Sequence, residues 1–181
     1  ASYLTFEKNQ RIKNAALQIK SDLRLIQNKS TSGDKGPNTA ICSQSDSLFG
    51  WYMRLDPDAL TYTYGGDCML PGGEVKYEER VIKLPLDTKI NRIFYGSVGS
   101  PTAFSSPVAV LFRPLTIGAT YHNATNVFAS SVDFYNELTS QYRFPLAVPT
   151  PPVFIEVSNL DESKTHLVKI EVSGEINDVK P

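Results

Sequence analysis

Through the first part of the chain apolar residues return at alternating steps of four and three, at Ile12, Ala16, Ile19, Leu23 and Ile26, and neither Gly nor Pro interrupts residues 4–28. That spacing is the stripe of an amphipathic helix, which buries one face and solvates the other. Lys8, Lys13, Lys20 and Lys29 fall off the stripe. With Arg11 and Arg24 they make six basic side chains against two acids, Glu7 and Asp22. At 28–37 the pattern gives way to turn chemistry, with Ser30, Ser32, Gly33, Asp34, Gly36 and Pro37 close together.

Beyond that break the period drops to two. Residues 49–56 alternate Trp51, Met53 and Leu55 with Tyr52, Arg54 and Asp56, and Pro57-Asp58 turns the chain into 60–64, which predicts a hairpin. Further strands are expected at 80–84, 90–95 and 108–112, the last apolar on both faces and therefore central. Weaker strand patterns lie at 117–122 and 127–134. Two closing strands, 153–157 and 167–172, flank a polar turn at 159–164. Links this short exclude parallel crossovers, so an antiparallel meander is the economical topology. Gly65-Gly66 and Gly72-Gly73 read as turns. Residues 96–107 and 135–152 read as loops; the second carries Tyr135, Tyr142 and Phe144 and is either a binding loop or a cover for its own sheet.

The expected class is therefore α+β, with one N-terminal helix packed on antiparallel sheet. A length of 181 residues with 41% hydrophobic residues suits a single domain over 1–181, divided into the helix at 1–29 and a globular antiparallel β body at 30–181. A formal net charge of -1 gives no global attraction to nucleic acid or anionic lipid. No apolar run reaches the roughly 18 residues that a membrane span needs. The chain starts inside a helix pattern with no capping Ser, Thr or Asp ahead of an apolar run, as a truncated chain would.

Cys42 and Cys68 lie in polar, turn-like surroundings, Ile41-Cys42-Ser43 and Asp67-Cys68-Met69. A disulfide between them is the stronger reading and implies an oxidising compartment; two separately buried thiols in a cytosolic protein are the alternative. Their spacing is not that of a zinc site, and only His122 and His166 are available to help. The two histidines sit in no catalytic spacing, and the chain has no GxSxG, HExxH or phosphate-cradling loop. Asp56-Pro57-Asp58 and Asp161-Glu162 have the acidity of calcium ligands, but turn acidity explains them as well. An enzyme is disfavoured, and no cofactor or metal is expected.

The order of these parts resembles a known family. Tyr3-Leu4-Thr5-Phe6-Glu7-Lys8-Asn9-Gln10-Arg11, followed by Ala15-Ala16-Leu17-Gln18-Ile19-Lys20-Ser21-Asp22-Leu23-Arg24-Leu25-Ile26-Gln27-Asn28-Lys29-Ser30, is similar to the periplasmic half of the long helix of type IV pilin-like proteins, GspH/FimT-type minor pilins and pseudopilins in particular. Phe49-Gly50-Trp51-Tyr52 after a cysteine, Leu84-Pro85 before a strand, and Ile170-Glu171-Val172-Ser173-Gly174-Glu175-Ile176 near the end resemble the family's later motifs. The resemblance implies a pilin-like fold and a structural role: a subunit of a type IV pilus or type II secretion filament, assembling through its helix. Leu4, Ile12, Ala16, Ile19, Leu23 and Ile26 would be the assembly helix, shared between the subunit's own sheet and neighbouring helices. Implied partners are other pilin or pseudopilin subunits, and the inner membrane through an apolar segment missing ahead of Ala1. The implied location is the cell envelope, in a membrane-anchored form before assembly and a periplasmic or extracellular filament afterwards. The alternatives are a filament-borne adhesin or DNA-uptake module and a phage or virion structural protein. DNA capture needs clustered Lys or Arg, whereas the tail Gly174-Glu175-Ile176-Asn177-Asp178-Val179-Lys180-Pro181 carries two acids and one lysine; nucleic acid is disfavoured.

Overall fold

A computed structural model describes residues 2–37, 41–43, 45–116, 118–124, 135–136, 141–142 and 152–179. The predicted helix is present as α1 (Ser2–Thr31). It ends where Gly33 takes a φ of 69°. The Ser32 and Asp34 amides donate back to the carbonyls of Asn28 and Lys29, each at 2.9 Å. A left-handed glycine that satisfies the last orphan carbonyls is a helix stop that the turn-rich sequence at 28–37 foretold.

Among the described residues twelve strands follow: β1 (Ser47–Leu55), β2 (Thr61–Leu70), β3 (Gly73–Lys83), β4 (Thr88–Ser97), β5 (Ser100–Ala103), β6 (Val108–Phe112), β7 (Thr120–Asn123), β8 (Tyr135–Asn136), β9 (Gln141–Tyr142), β10 (Val153–Asn159), β11 (Thr165–Ile170) and β12 (Ile176–Val179). Ten of them form two five-stranded sheets: sheet A in the order β3-β2-β1-β6-β7, and sheet B in the order β12-β11-β10-β4-β5. Every ladder among the described residues is antiparallel. The chain does not run as one meander, because it lays down three strands of sheet A, crosses to sheet B for β4 and β5, returns to sheet A for β6 and β7, and finishes in sheet B.

The α+β, pilin-like class expected from the sequence is corrected by this architecture. Among the described residues strand accounts for 49% and helix for 19%, so this is a sheet-rich structure carrying one helix. The helix stripe dominates the sequence pattern, while strands at two places were concealed. β2 continues straight through Gly65-Gly66, which are not a turn. A Cβ on Gly66 would lie 2.2 Å from a Tyr77 ring atom, and one on Gly65 would lie 2.9 Å from Glu79 Cγ. Glycine is needed there so that side chains of β3 can cross the backbone of β2. Part of the expected loop at 96–107 is β5, paired to β4.

One core serves the helix and both sheets. Ile12, Ala16, Ile19, Leu23 and Ile26 join Trp51, Met53 and Leu55 from sheet A and Ile93, Ile155 and Val168 from sheet B. α1 packs on β1, β2 and β6 of one sheet and on β4, β10, β11 and β12 of the other. Sheet A has a second, separate apolar cluster on its opposite face, made by Phe49, Tyr52, Ala109, Leu111 and Ala124. Strand alternation explains the division, since Trp51 and Met53 point to the helix and Tyr52 between them points away. Among the described residues no helix is long and apolar enough to cross a membrane.

Candidate functional site

The helix presents two very different ends. Its rear half is fixed by apolar burial and by polar contacts at nearly every turn. Ile19, Leu23 and Ile26 are fully buried. Arg24 donates to the Ile176 carbonyl and Gln27 to the Gly174 carbonyl, both at 2.8 Å. Ser30 donates to the Phe112 carbonyl at 2.6 Å. Lys29 pairs with Asp34 at 2.9 Å and Glu78 at 3.1 Å and lies 4.2 Å from the centre of the Trp51 ring. Asp34 is held below the usual carboxylate range, chiefly by the Lys29 hydrogen bond. Its backbone carbonyl accepts from Trp51 Nε1 at 2.8 Å and from the Tyr77 hydroxyl at 3.0 Å. Lys20 pairs with Asp178 of β12.

Among the described residues the front end has no comparable cover. Tyr3 is 74% exposed and Phe6 60%. Aromatic rings three residues apart occupy one side of a helix, so the two form an uncovered apolar patch ahead of Ile12. The basic residues beside it are engaged: Lys8 reaches Asp161 at 3.2 Å, and Arg11 reaches Glu7 at 3.6 Å within the helix. Lys13 lines a cleft of about 750 Å³ between the helix and sheet B, together with Asn9, Gln10, Lys164, His166 and Asp178.

Of the expected assembly residues, Ile12, Ala16, Ile19, Leu23 and Ile26 all lie within the chain's own core, each 2% exposed or less. They leave no area to share with a neighbouring helix. Leu4 lies in α1, and its side chain is outside the described residues. Exposed Tyr3 and Phe6 break the three-and-four rhythm of the stripe, and the sequence signal for them was apolar character outside that rhythm.

Cys42 and Cys68 are bonded, with Cα atoms 5.9 Å apart. The disulfide ties the segment after the helix to β2, and both sulfurs are buried in the shared core. Of the residues expected in a binding loop, Tyr135 and Tyr142 are register partners in the small β8–β9 ladder; Phe144 lies outside the described residues. The strand expected at 127–134 also lies outside them.

Side chains considered for chemistry do not converge. His122 is on β7 in sheet A and His166 on β11 in sheet B. Burial, helped by Arg113, pushes the His122 imidazole down to about 4. The two acidic turns are brought together across the fold by a cation of the chain itself, because Lys89 pairs with Asp58 at 2.7 Å and with Glu162 at 2.6 Å. Among the described residues no group of three or more His, Cys, Asp or Glu is placed to hold a metal ion.

A buried ionisable cluster escaped sequence reading altogether. Asp67, fully buried, pairs across the β2–β3 ladder with Lys76. Lys76 Nζ lies 3.1 Å from Asp67 Oδ1 and 3.2 Å from Glu74 Oε1. Nearby, Tyr52 donates from its hydroxyl to Glu79. Comparison with family models, with curated proteins and with solved structures returns no match.

Proposed function

We propose that this chain is a structural subunit of a filament of the type IV pilus or type II secretion kind, a minor pilin or pseudopilin, and that it joins its neighbours through the front of its helix. The observation that carries this reading is the contrast along α1: Tyr3 and Phe6 stand exposed while every later stripe position is buried in the chain's own core. Covering a large aromatic side chain is worth about 1.5–3 kcal/mol, so two of them at one helix end make a compact docking patch. The Cys42–Cys68 disulfide supports an oxidising compartment such as the cell envelope. The resemblance of 3–30 to pilin helices supports the choice of partner, other pilin or pseudopilin subunits, over an unrelated apolar surface. The role lies in the helix and its exposed end, and the sheets serve as the body that displays them. It is a non-enzymatic role, with neither cofactor nor nucleic acid.

The test is made in the cells that produce the protein. A photo-cross-linker placed at position 6 is expected to trap another filament subunit, and sheared filaments are expected to contain the chain. Retention of the chain as a free monomer, with no adduct from position 6, overturns the reading.

A further inference from the structure

We propose that Lys76 and Asp67 become joined in the folded protein by an intramolecular amide between Nζ and Cγ, a self-made cross-link between β2 and β3 with Glu74 as the proton carrier. The register makes the two residues direct partners on adjacent strands, so their side chains rise from one spot on the same face of sheet A. Nζ is already within 3.1 Å of the Asp67 carboxyl and 3.2 Å of Glu74. The surroundings are dry: side-chain exposure is 0% for Asp67, 9% for Lys76 and 8% for Glu74. Both Asp67 oxygens are fully buried, and Lys76 and Glu74 are the side chains that face them.

Those conditions favour condensation. Burial, reinforced by the Glu74 carboxylate and opposed by Lys76, raises the Asp67 carboxyl far above its usual range, which favours the neutral acid, the form whose Cγ is open to attack. Holding amine and acid in contact supplies an effective concentration on the order of 10⁵ M or more, and the absence of bulk water favours amide over free acid. The step balances as follows. The Lys76 ammonium gives one proton to Glu74, and the free amine attacks Cγ. The C–N bond forms as the C–OH bond breaks, and the hydroxyl leaves as water with a second ammonium proton relayed through Glu74. The third stays on the amide nitrogen, and Glu74 ends protonated. The buried charges of Lys76 and Glu74 are replaced by a neutral amide and a neutral acid, which removes the cost of keeping them out of water.

Such a bond would fix β3, an edge strand of sheet A, to its neighbour. On β2 it would stand at Asp67, immediately before the disulfide at Cys68, so two successive residues would be tied on opposite faces of one strand.

Intact mass after denaturation and reduction tests the proposal. The expected result is a chain lighter than its sequence by one water, with a branched peptide joining 67 to 76 on proteolytic mapping. K76R, which keeps the charge but makes no such amide, is expected at full mass. E74Q is expected to slow the conversion by about 100-fold or more. A wild-type chain that stays at full mass on prolonged incubation in its folded state overturns the proposal. So does a water loss that persists in K76R, since it would place a cyclic imide at Asp67 in place of the cross-link.

Discussion

The two ends of α1 follow opposite rules. The rear end, from Ile19 to Ser30, has given its apolar face to the core and its polar groups to partners on both sheets. The front end keeps Tyr3 and Phe6 in solvent. A helix whose only task was to close its own sheets would have no use for exposed aromatic rings at one end. The difference shows that burial separates two stretches of one helix where hydropathy does not.

The strongest way to break the contrast is to loosen the rear. Leu23→Ala removes a fully buried side chain from the junction of helix and sheets and is expected to cost about 2–5 kcal/mol, measured as a shift in the urea midpoint. Trp51, the only tryptophan, reports on the same region. Next comes the disulfide, which closes a sequence separation of 26. Reducing it, or making the C42S/C68S pair, is expected to lower stability by about 3–4 kcal/mol. A loss below about 1 kcal/mol would show that the packing around Asp34, Trp51 and Tyr77 holds the rear on its own.

How much of this was legible in the sequence depended on whether a feature is local. The helix announced itself through Ile12 to Ile26, its stop through Gly33, and the buried central strand through Val108–Phe112, which came out with the expected bounds. What failed needed knowledge of a partner. Gly65-Gly66 looks like a turn until Tyr77 and Glu79 are seen crossing it. β5 and β12 are four-residue edge strands, too short to show a period without the ladder that pairs them. The site divided the same way. The cysteine pair could be read from its surroundings, whereas Asp67 opposite Lys76 is a fact of register, and the exposure of Tyr3 and Phe6 depends on where the sheets end.

Smaller changes sharpen the contrast without abolishing the fold. A Cβ on Gly33 meets nothing within 4 Å, so Gly33→Ala tests the left-handed backbone alone. The expected cost is about 1–2 kcal/mol, with faster hydrogen exchange at Ser32 to Asp34 and no change at the front. Acid acts on the same cap. Asp34 is held below its ordinary value of 3.8 by Lys29 and by the Gly36 amide. A carboxylate with a depressed folded pKa stabilises above its unfolded value and loses that contribution as pH falls through the folded one. Trp51 emission and exchange at the cap are therefore expected to change below about pH 4 and to hold steady above it. D34N should flatten that response.

The smallest effect on stability is expected at the front, and it decides the function. Tyr3→Ser with Phe6→Ser removes rings that the chain's own fold leaves uncovered, so the unfolding midpoint should move by no more than about 0.5 kcal/mol. If a neighbouring subunit covers those rings, the same pair forfeits the burial of two aromatic side chains, and incorporation into sheared filaments should fall by about tenfold or more. Leu23→Ala sets the control, because it should lose stability first and incorporation only as a consequence. A double front variant that destabilises the isolated chain by several kcal/mol would mean that the rings are part of the fold. One that changes neither stability nor incorporation would move the assembly surface elsewhere. Only a stable chain that no longer joins its filament keeps the two ends of the helix distinct in function as they are in burial.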